Sequence, residues 1–291
     1  MGVVKGIVSL SRPYVLFTTT SFYIAAAFLG NNGIPTLLPF SIGFLAVALA
    51  IASAHTLNDY FDRESDLKNP RTANRAIPSG LISPRIALVL GMIYGVIAVS
   101  LTFLLNPLCI ILAFVSIPLP FAYIFMRKRR IPFSFICTML AVTFIILLGS
   151  AVASGMYFPN LMLLFVVFGV SWEMGRTLIS EVQDVDYDNL TNVTTISATI
   201  SSKRAAQLIL VLFSIASMMS IIIGIVGQFG IIYLGVVIIA SLWLIYRCLE
   251  LVKTPTTPNA INMRIRVPKY LLTICIILVV TILLNTLLLG L

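Results

Sequence analysis

The sequence predicts an all-α, polytopic membrane protein with nine transmembrane helices in a single domain of residues 1–291. Of the 291 residues, 59% are hydrophobic and only 10% are charged, whereas soluble domains carry about 25% charged residues. This composition excludes an ordinary soluble domain, and it also excludes a disordered chain, which would need the opposite balance. The apolar residues form stretches close to the roughly 20 residues that a helix needs to cross a bilayer.

Nine such stretches follow one another along the chain. Short uncharged turns, such as Asn106-Pro107 and Gly227-Gln228, alternate with longer or strongly charged connections, such as residues 58–85 and 181–204. The predicted spans cover about residues 14–29, 36–57, 86–105, 108–126, 133–153, 161–180, 205–226, 229–249 and 268–290.

The distribution of basic residues predicts the orientation of the helices. With the N-terminus inside the cell, all 19 Lys and Arg residues fall on or near the cytoplasmic side, as the positive-inside rule requires. The sequence therefore predicts a multi-pass protein of the cell membrane that is N-in and C-out, with its charged loops in the cytoplasm. The net charge of +9 is then a membrane signal and indicates no nucleic-acid partner.

The order of charged segments suggests two four-helix halves plus a ninth helix. Acidic segments follow spans 2 and 6, and basic segments follow spans 4 and 8. The two halves share too little sequence to establish a repeat on identity alone.

The acidic residues point to metal chemistry, because eight of the ten fall in two short segments. If span 2 continues as a helix, Asn58, Asp62 and Asp66 lie within an arc of about 80° on one face. In the second segment Glu181 and Asp184 lie on one face with a third carboxylate, which belongs to Asp188.

Like charges at these spacings destabilise a helix unless something neutralises them. Carboxylates and an Asn amide form an all-oxygen ligand set, which suits Mg²⁺ and a shared substrate phosphate. The two clusters could face each other across a cavity and hold a metal-bridged diphosphate. The alternative, that both are solvated charges at helix ends, is disfavoured because the chain has almost no other acidic residues.

Basic side chains beside the first cluster suit a diphosphate. Arg71 and Arg75 follow it closely, and a guanidinium binds phosphate oxygens in pairs. Tyr123, Arg127 and Lys128 form a second set at the charged end of span 4. For these three, anchoring at the membrane interface is the competing interpretation.

Three polar side chains lie within or at the end of predicted spans. Glu173 and Arg176 are three residues apart inside span 6, where ionisable groups usually face a cavity or each other. His55 lies one turn before Asn58 on the same face. It could approach the cavity or form a hydrogen bond within the helix packing.

These residues resemble the UbiA superfamily of intramembrane prenyltransferases. The motif Asn58-Asp59-x-x-Asp62-x-x-x-Asp66 matches the family's first Asp-rich motif, and Asp184-x-x-x-Asp188 matches the second. The segment from Arg71 to Gly80 and the Tyr-x-x-x-basic-basic pattern at 123–128 also match, with Ala76 where the family usually has Pro. The resemblance covers the whole chain and implies a bundle of nine helices.

The resemblance also implies a mechanism. The two Asp motifs would bind Mg²⁺, which, together with nearby Arg and Lys, would hold the diphosphate of a polyprenyl donor whose tail lies in an apolar channel open to the bilayer. An acceptor would then capture the allylic cation while the site excludes water.

By this resemblance, the site residues fall into three groups. Asp62, Asp66, Asp184 and Asp188 would be catalytic, and together with Asn58 and Glu181 they would form the metal-binding set. Arg71, Arg75, Tyr123, Arg127 and Lys128 would bind the diphosphate. His55, Asp59, Glu173 and Arg176 are candidates for contacting the acceptor or supporting the other residues, and the off-axis direction of Asp59 suggests a structural role.

The acceptor is either a lipid or an aromatic compound. The run from Glu181 to Asp188 looks like the branch that forms digeranylgeranylglyceryl phosphate from geranylgeranylglyceryl phosphate in archaeal ether-lipid synthesis. The Arg71-Thr-Ala-Asn-Arg75 run looks like the 4-hydroxybenzoate-type polyprenyltransferases of quinone synthesis, an alternative that extends to haem synthesis. The sequence favours the glycerolipid branch.

A cation- or proton-coupled transporter is the alternative outside the enzymes. Transporters place acidic residues near the middle of the membrane. Here the acidic residues cluster at the predicted cytoplasmic ends of helices, beside arginines suited to phosphate, so the sequence favours an enzyme.

Overall fold

The computed structural model describes residues 2–69, 71–128, 134–155, 158–191 and 200–289, without the side chains of 127, 128, 185–191 and 289. Within these ranges the chain is all-α, with nine helical segments long and apolar enough to cross a membrane. The predicted fold class is therefore confirmed, whereas the orientation and the two-halves arrangement stay predictions. The helices are α1 Gly2–Leu10, α2 Pro13–Asn31, α3 Leu37–Lys68, α4 Pro84–Thr102, α5 Pro107–Ser116, α6 Pro118–Lys128, α7 Phe135–Ser154, α8 Asn160–Thr191, α9 Ser202–Val226, α10 Gly230–Lys253 and α11 Thr257–Leu289.

Several helices extend beyond the predicted spans, because hydropathy locates only the apolar part of a helix. Helix α3 continues past Leu57 to Lys68, and Asn69 is extended, as expected for a residue before a proline. Helix α11 begins at Thr257, well before the predicted start at 268, and Pro268 lies inside it. The last helix therefore begins earlier than the predicted apolar span. Neighbouring helices and local adjustment allow membrane helices to accommodate a proline.

The predicted fourth span is two helices rather than one. Helix α5 ends at Ser116 and α6 begins at Pro118. A proline ring has no backbone N–H and clashes with the preceding turn, so Pro118 is accommodated as the first residue of a new helix. The residues at this break line the apolar cavity described below.

The helices pack chiefly in pairs. Helix α3 packs chiefly on α4, α8 chiefly on α9, and α2 chiefly on α7. The largest buried cluster includes Phe22, Phe165, Phe168 and Trp172, whose rings meet between α2 and α8. The two motif-bearing helices thus have different main partners.

The contact between α2 and α7 gives a prediction about stability. A Cβ added at Gly149 would lie 2.5 Å from the backbone oxygen of Tyr23 and 3.1 Å from the Cβ of Ala26. Because backbone must move to relieve that clash, Gly149→Ala should lower the free energy of unfolding by roughly 1–3 kcal/mol, measured by thermal unfolding in detergent.

Gly235→Ala is the matched control, because nothing lies within 4 Å of the position of an added Cβ there. Alanine also favours the helix by about 1 kcal/mol over glycine. Equal unfolding temperatures for the two variants would contradict the close approach of α2 and α7.

Candidate active site

The first acidic motif lies on the polar end of α3. Because α3 is helical through Lys68, Asn58, Asp62 and Asp66 share one face, as the spacing predicted. The Oδ1 atom of Asn58 is buried without a hydrogen-bond partner in the described structure. Asp66 is buried and accepts a bond of 2.7 Å from Nη1 of Arg75.

The segment after α3 folds back onto the motif through its own hydrogen bonds. The hydroxyl of Thr72 donates to the backbone oxygen of Asp66 at 2.9 Å, and the backbone N–H of Arg71 donates to Oδ1 of Asn69 at 2.9 Å. Ala76 and Ile77 are buried in a small apolar cluster with Leu10. These contacts fix the segment that carries Arg71 and Arg75, two of the five predicted diphosphate ligands.

An ion pair between Arg71 and Asp184 joins the two motifs. Nη2 of Arg71 lies 2.7 Å from Oδ2 of Asp184, although the residues are 113 positions apart in the chain. The two side chains are 34% and 22% exposed, so the pair lies at an accessible surface. The structure therefore brings the Arg71 segment and the second motif together. That the two acidic clusters face each other across a cavity stays a prediction.

Asp59 is the centre of a charge network that sequence reasoning only partly anticipated. Its carboxylate is 3% exposed and pairs with the guanidinium of Arg12 and, at 3.4 Å, with Nη1 of Arg75. Arg75 thus bridges Asp59 and Asp66. Asp59 binds two arginines and lies off the face that carries Asp62. Its structural role stays a prediction.

Arg12 is a site residue that the sequence analysis missed. It lies between α1 and α2 with a left-handed backbone (φ 45°), a conformation that costs energy for a residue other than glycine. In the sequence it reads only as one more basic residue flanking a span. The one sequence feature that sets Arg12 apart is its position directly before Pro13, where α2 begins.

Glu173 and Arg176 form the ion pair that their spacing allowed. Nε of Arg176 lies 2.8 Å from Oε2 of Glu173, and a second nitrogen contacts the other carboxylate oxygen. Tyr123 lies close enough to Arg176 for a charge interaction. His55 lies close enough to Arg176, Arg12 and Arg75 for the same kind of interaction. These polar side chains therefore gather on the same side of the bundle as the acidic motifs.

Arg264 and Gln183 add a second pair that the sequence analysis missed. Nη1 of Arg264 on α11 donates to Oε1 of the buried Gln183 at 2.9 Å, next to Asp184. Arg264 is also within electrostatic range of Arg71, Arg176 and Asp184. Arg264 precedes the predicted last span, in a charged segment that the structure shows to be helical, so nothing in the sequence indicated this contact.

Several predicted site residues fall outside what the structure describes or carry further contacts. The side chains of Arg127, Lys128 and Asp188 lie outside the described residues. Asp62, Glu181 and Tyr123 are described, and each has interaction partners. The predicted roles of these six residues therefore stay predictions.

The described residues suit a hard divalent cation by their chemistry, although they do not form a closed cage. Among them no three His, Cys, Asp or Glu side chains converge as a ready metal site, and arginines hold Asp66 and Asp184 instead. The donors are nevertheless all oxygen, and the buried Oδ1 of Asn58 lacks a partner. Mg²⁺ is usually bound by one or two carboxylates plus substrate phosphate rather than by an all-protein cage, so this donor set fits it.

An apolar cavity of about 450 Å³ lies between α3, α4, the α5–α6 break and α7. This volume lies within the range of about 300–1,000 Å³ found for small-molecule sites. Leu57, which directly precedes Asn58, lines its end nearest the motif. Val96 also lines it and is 62% exposed, so the cavity opens sideways where the bilayer would be.

The chain matches known proteins over most of its length. The model of the UbiA prenyltransferase family matches residues 19–267. Digeranylgeranylglyceryl phosphate synthase of Natronomonas pharaonis is 29% identical over 262 residues, which are 88% of this chain and 91% of that protein. Protoheme IX farnesyltransferase of Photorhabdus laumondii is 25% identical, with 86% of each protein covered. The 4-hydroxybenzoate octaprenyltransferase of Aliivibrio salmonicida is 32% identical over 163 residues, with 56% of each covered.

Solved structures share the fold. A structure of digeranylgeranylglyceryl phosphate synthase in membranes superposes with a TM-score of 0.75 at 20% identity, covering 97% of this chain and 99% of that one. A homologue from Archaeoglobus fulgidus, bound to DMAPP and Mg²⁺, superposes with a TM-score of 0.68 at 15% identity, covering 93% and 99%. At these identities the likeness establishes the architecture.

Proposed function

The chain belongs to the UbiA prenyltransferase family, and from this premise we propose that it transfers a geranylgeranyl group from geranylgeranyl diphosphate to geranylgeranylglyceryl phosphate. As a member of the family it is an integral membrane prenyltransferase. The transporter alternative is therefore wrong. The donor, the acceptor and the metal are the parts that we propose.

The Arg71–Asp184 ion pair is the observation that carries the proposal. It brings the Arg-rich segment after α3 against the second acidic motif on α8. Arg71 uses one terminal nitrogen for this contact, and a guanidinium has five N–H donors in a planar fork. Arg71 and Arg75 can therefore bind diphosphate oxygens while they remain anchored to carboxylates.

Asn58, Asp62, Asp66, Asp184 and Asp188, with Glu181 beside them, would hold the metal. Bound Mg²⁺ would neutralise the charge that develops on pyrophosphate as the allylic C–O bond breaks.

The chain's own cations would assist the departure of the diphosphate. Arg71 and Arg75 would bind the leaving group, with Arg127 and Lys128 at the end of α6 as further ligands. Asp59 keeps Arg75 in position through the 3.4 Å contact, so the guanidinium does not need to be ordered when substrate arrives.

The apolar cavity would hold the prenyl tail and keep water from the allylic cation. Its lining runs from Leu57, beside the motif, to deeper residues such as Ala98 and Leu148. Each CH₂ group buried there contributes about 0.8 kcal/mol to binding. The length of the cavity should therefore select the length of the donor.

Ala98→Phe should shift the preference towards shorter donors. Ala98 lines the cavity and is 4% exposed, so a phenyl ring there displaces one five-carbon unit of the tail. The ratio of kcat/KM for farnesyl over geranylgeranyl diphosphate should rise at least about tenfold, given the burial lost per carbon. Competition between the two labelled donors measures this ratio.

Ile97→Phe is the matched control for that experiment. Ile97 is the neighbouring residue on α4, but it is 42% exposed and does not line the cavity, so the ratio should stay as in wild type. Ala98→Leu should give a smaller shift in the same direction. An unchanged ratio of kcat/KM in both Ala98 variants would contradict the proposal that the prenyl tail lies in this cavity.

The excess of arginines at the site supports a phosphate-bearing acceptor. Arg264 lies next to the second motif through its contact with Gln183 and adds a cation beyond those that face the two acidic motifs. A phosphate monoester carries more negative charge than the carboxylate of 4-hydroxybenzoate, so it would interact more strongly with the guanidinium of Arg264. The relative from Natronomonas pharaonis, which spans nearly the whole chain, agrees with this choice.

Aromatic prenyl transfer is the second candidate, because the Arg71-Thr-Ala-Asn-Arg75 run resembles the 4-hydroxybenzoate-type enzymes. Purified protein with radiolabelled geranylgeranyl diphosphate should be offered geranylgeranylglyceryl phosphate, 4-hydroxybenzoate and protohaem in parallel. We expect label in the glyceryl phosphate product. Label only in 4-hydroxybenzoate or protohaem would contradict the proposed acceptor while leaving prenyl transfer intact.

The proposed site faces the cytoplasm. Both acidic motifs and the segment with Arg71 and Arg75 lie at the ends of helices that the positive-inside rule assigns to that side. The charged diphosphate of the donor would then enter the site from the cytoplasmic side, while its apolar tail lies in the cavity.

A further inference from the structure

A second cavity lies between the end of α10 and the beginning of α11. It has a volume of about 330 Å³ and polar walls, and it is distinct from the apolar cavity beside α3. Its polar lining includes Arg247, Glu250, Lys253, Thr254, Asn262 and Arg266, together with Asn259. We call it the α10–α11 cavity.

The α10–α11 cavity carries an excess of positive charge. Three cations and one carboxylate line it, and the carboxylate is already engaged, since Oε2 of Glu250 lies 2.6 Å from Nη1 of Arg247. Within the part of the chain that the structure describes, no carboxylate forms a salt bridge with Lys253 or Arg266. Nε of Arg247 is also buried without a hydrogen-bond partner there.

The walls of the cavity are held in place by local contacts. Nδ2 of Asn259 donates to the backbone oxygen of Thr254 at 2.9 Å and contacts its hydroxyl oxygen at 2.6 Å. This ties the first turn of α11 to the end of α10. The contact therefore fixes the two helix ends that form the cavity relative to each other, which lowers the cost of binding.

Helix α11 separates the cavity from the candidate active site. Arg264 and Arg266 are two residues apart, so they point about 200° apart around the helix. Arg264 reaches Gln183 beside the second motif, whereas Arg266 lines the α10–α11 cavity. The cavity is thus on the other side of α11 from the acidic motifs.

The surface around the cavity is apolar and suited to lipid chains. On α10, Tyr246 is 59% exposed and Leu249 is 44% exposed, and on α11 Ile265 is 63% exposed. Tyr246 also packs beside the guanidinium of Arg247, with its ring centroid at 5.8 Å, as aromatic residues do at the membrane interface. A ligand with a charged head and apolar chains fits both surfaces at once.

We propose that the α10–α11 cavity binds the phosphate group of an anionic phospholipid from the surrounding bilayer. Lys253 and Arg266 supply the charge for the phosphate, and the amide of Asn262 supplies hydrogen-bond donors at its edge. Basic pockets between membrane helices bind anionic headgroups in this way. Prenyl transfer does not depend on this site, and its test needs neither donor nor acceptor.

The test measures phospholipid binding to the full chain in a neutral detergent. Binding of fluorescent phosphatidylglycerol to wild type is compared with binding to K253Q/R266Q. Loss of these two cations, at about fivefold each, should weaken binding about 25-fold. K203Q/R204Q is the matched control, because it removes the same charge from exposed positions at the start of α9, and it should bind as wild type does.

Two further arms identify the source of the phosphate. Phosphatidylcholine should bind at least about tenfold more weakly than phosphatidylglycerol, since the choline group offsets the phosphate charge. Inorganic phosphate at the same concentration should not displace the fluorescent lipid. Equal binding of the two lipids, equal loss in both double variants, or displacement by inorganic phosphate would each overturn the proposal.

Discussion

Replacing both Asp62 and Asp184 by asparagine should lower kcat for prenyl transfer at least about 10³-fold, because removal of a single preorganised electrostatic group commonly costs 10²–10³. The substitution keeps the size of each side chain and removes one carboxylate from each motif. The unfolding temperature should hardly change. The Arg71–Asp184 pair lies where its side chains are 34% and 22% exposed, and such pairs contribute about 0–1 kcal/mol.

Glu64→Gln is the control for this experiment. Glu64 belongs to the same acidic segment of α3, but its side chain is 84% exposed and pairs with Arg63 at 3.4 Å. It should therefore retain wild-type kcat. Full activity in the Asp62 and Asp184 double variant would contradict the proposal that these two carboxylates bind the metal.

Asp59→Asn should cause the largest loss of stability among the acidic residues of α3. The carboxylate is 3% exposed and neutralises both Arg12 and Arg75. Removing one partner of a buried ion pair costs about 3–5 kcal/mol, and because the two arginine side chains are each 25% exposed, we expect about 2–3 kcal/mol. Thermal unfolding in detergent measures the change.

A double-mutant cycle separates a specific contact from a general loss of charge. Arg12→Gln and Asp59→Asn are combined, and a coupling energy of about 0.5–3 kcal/mol is expected for residues in one network. Glu64→Gln, a substitution on the same helix at a side chain that is 84% exposed, should show little loss of stability. Additive effects of the Arg12 and Asp59 changes would contradict the network.

Much of the fold could be predicted because hydropathy and charge placement report on the bilayer directly. The nine segments that are long and apolar enough to cross a membrane within the described ranges follow from apolar length alone. The ends of α3 and α11 could not be located in this way, since their polar turns extend beyond the apolar core of the helix. The break at Pro118 needed knowledge of how the two halves of that span pack.

The candidate site was predictable where its signal is local in sequence. The common face of Asn58, Asp62 and Asp66 follows from helical spacing, and Arg71 and Arg75 follow from their closeness to that motif. The roles of Arg12 and Arg264 were missed because their partners, Asp59 and Gln183, are 47 and 81 residues away. A periodic sequence pattern does not predict contacts between residues so far apart in the chain.

The partners of the carboxylates could not be predicted from the sequence either. Spacing predicts that like charges need a neutralising partner, but it does not choose between a metal ion and a guanidinium. In the structure arginines neutralise Asp59, Asp66 and Asp184. A substrate diphosphate with its metal would therefore enter a site in which arginines are already oriented towards the carboxylates.

The most direct test of cation-dependent prenyl transfer compares two products in one reaction. Protein stripped of metal by a chelator is given geranylgeranyl diphosphate and geranylgeranylglyceryl phosphate, and pyrophosphate release is measured alongside prenylated lipid. We predict one pyrophosphate for each prenyl group transferred, with both products appearing only after Mg²⁺ is added. Equal rates of transfer in the chelator, or pyrophosphate release without any prenylated acceptor, would contradict this mechanism.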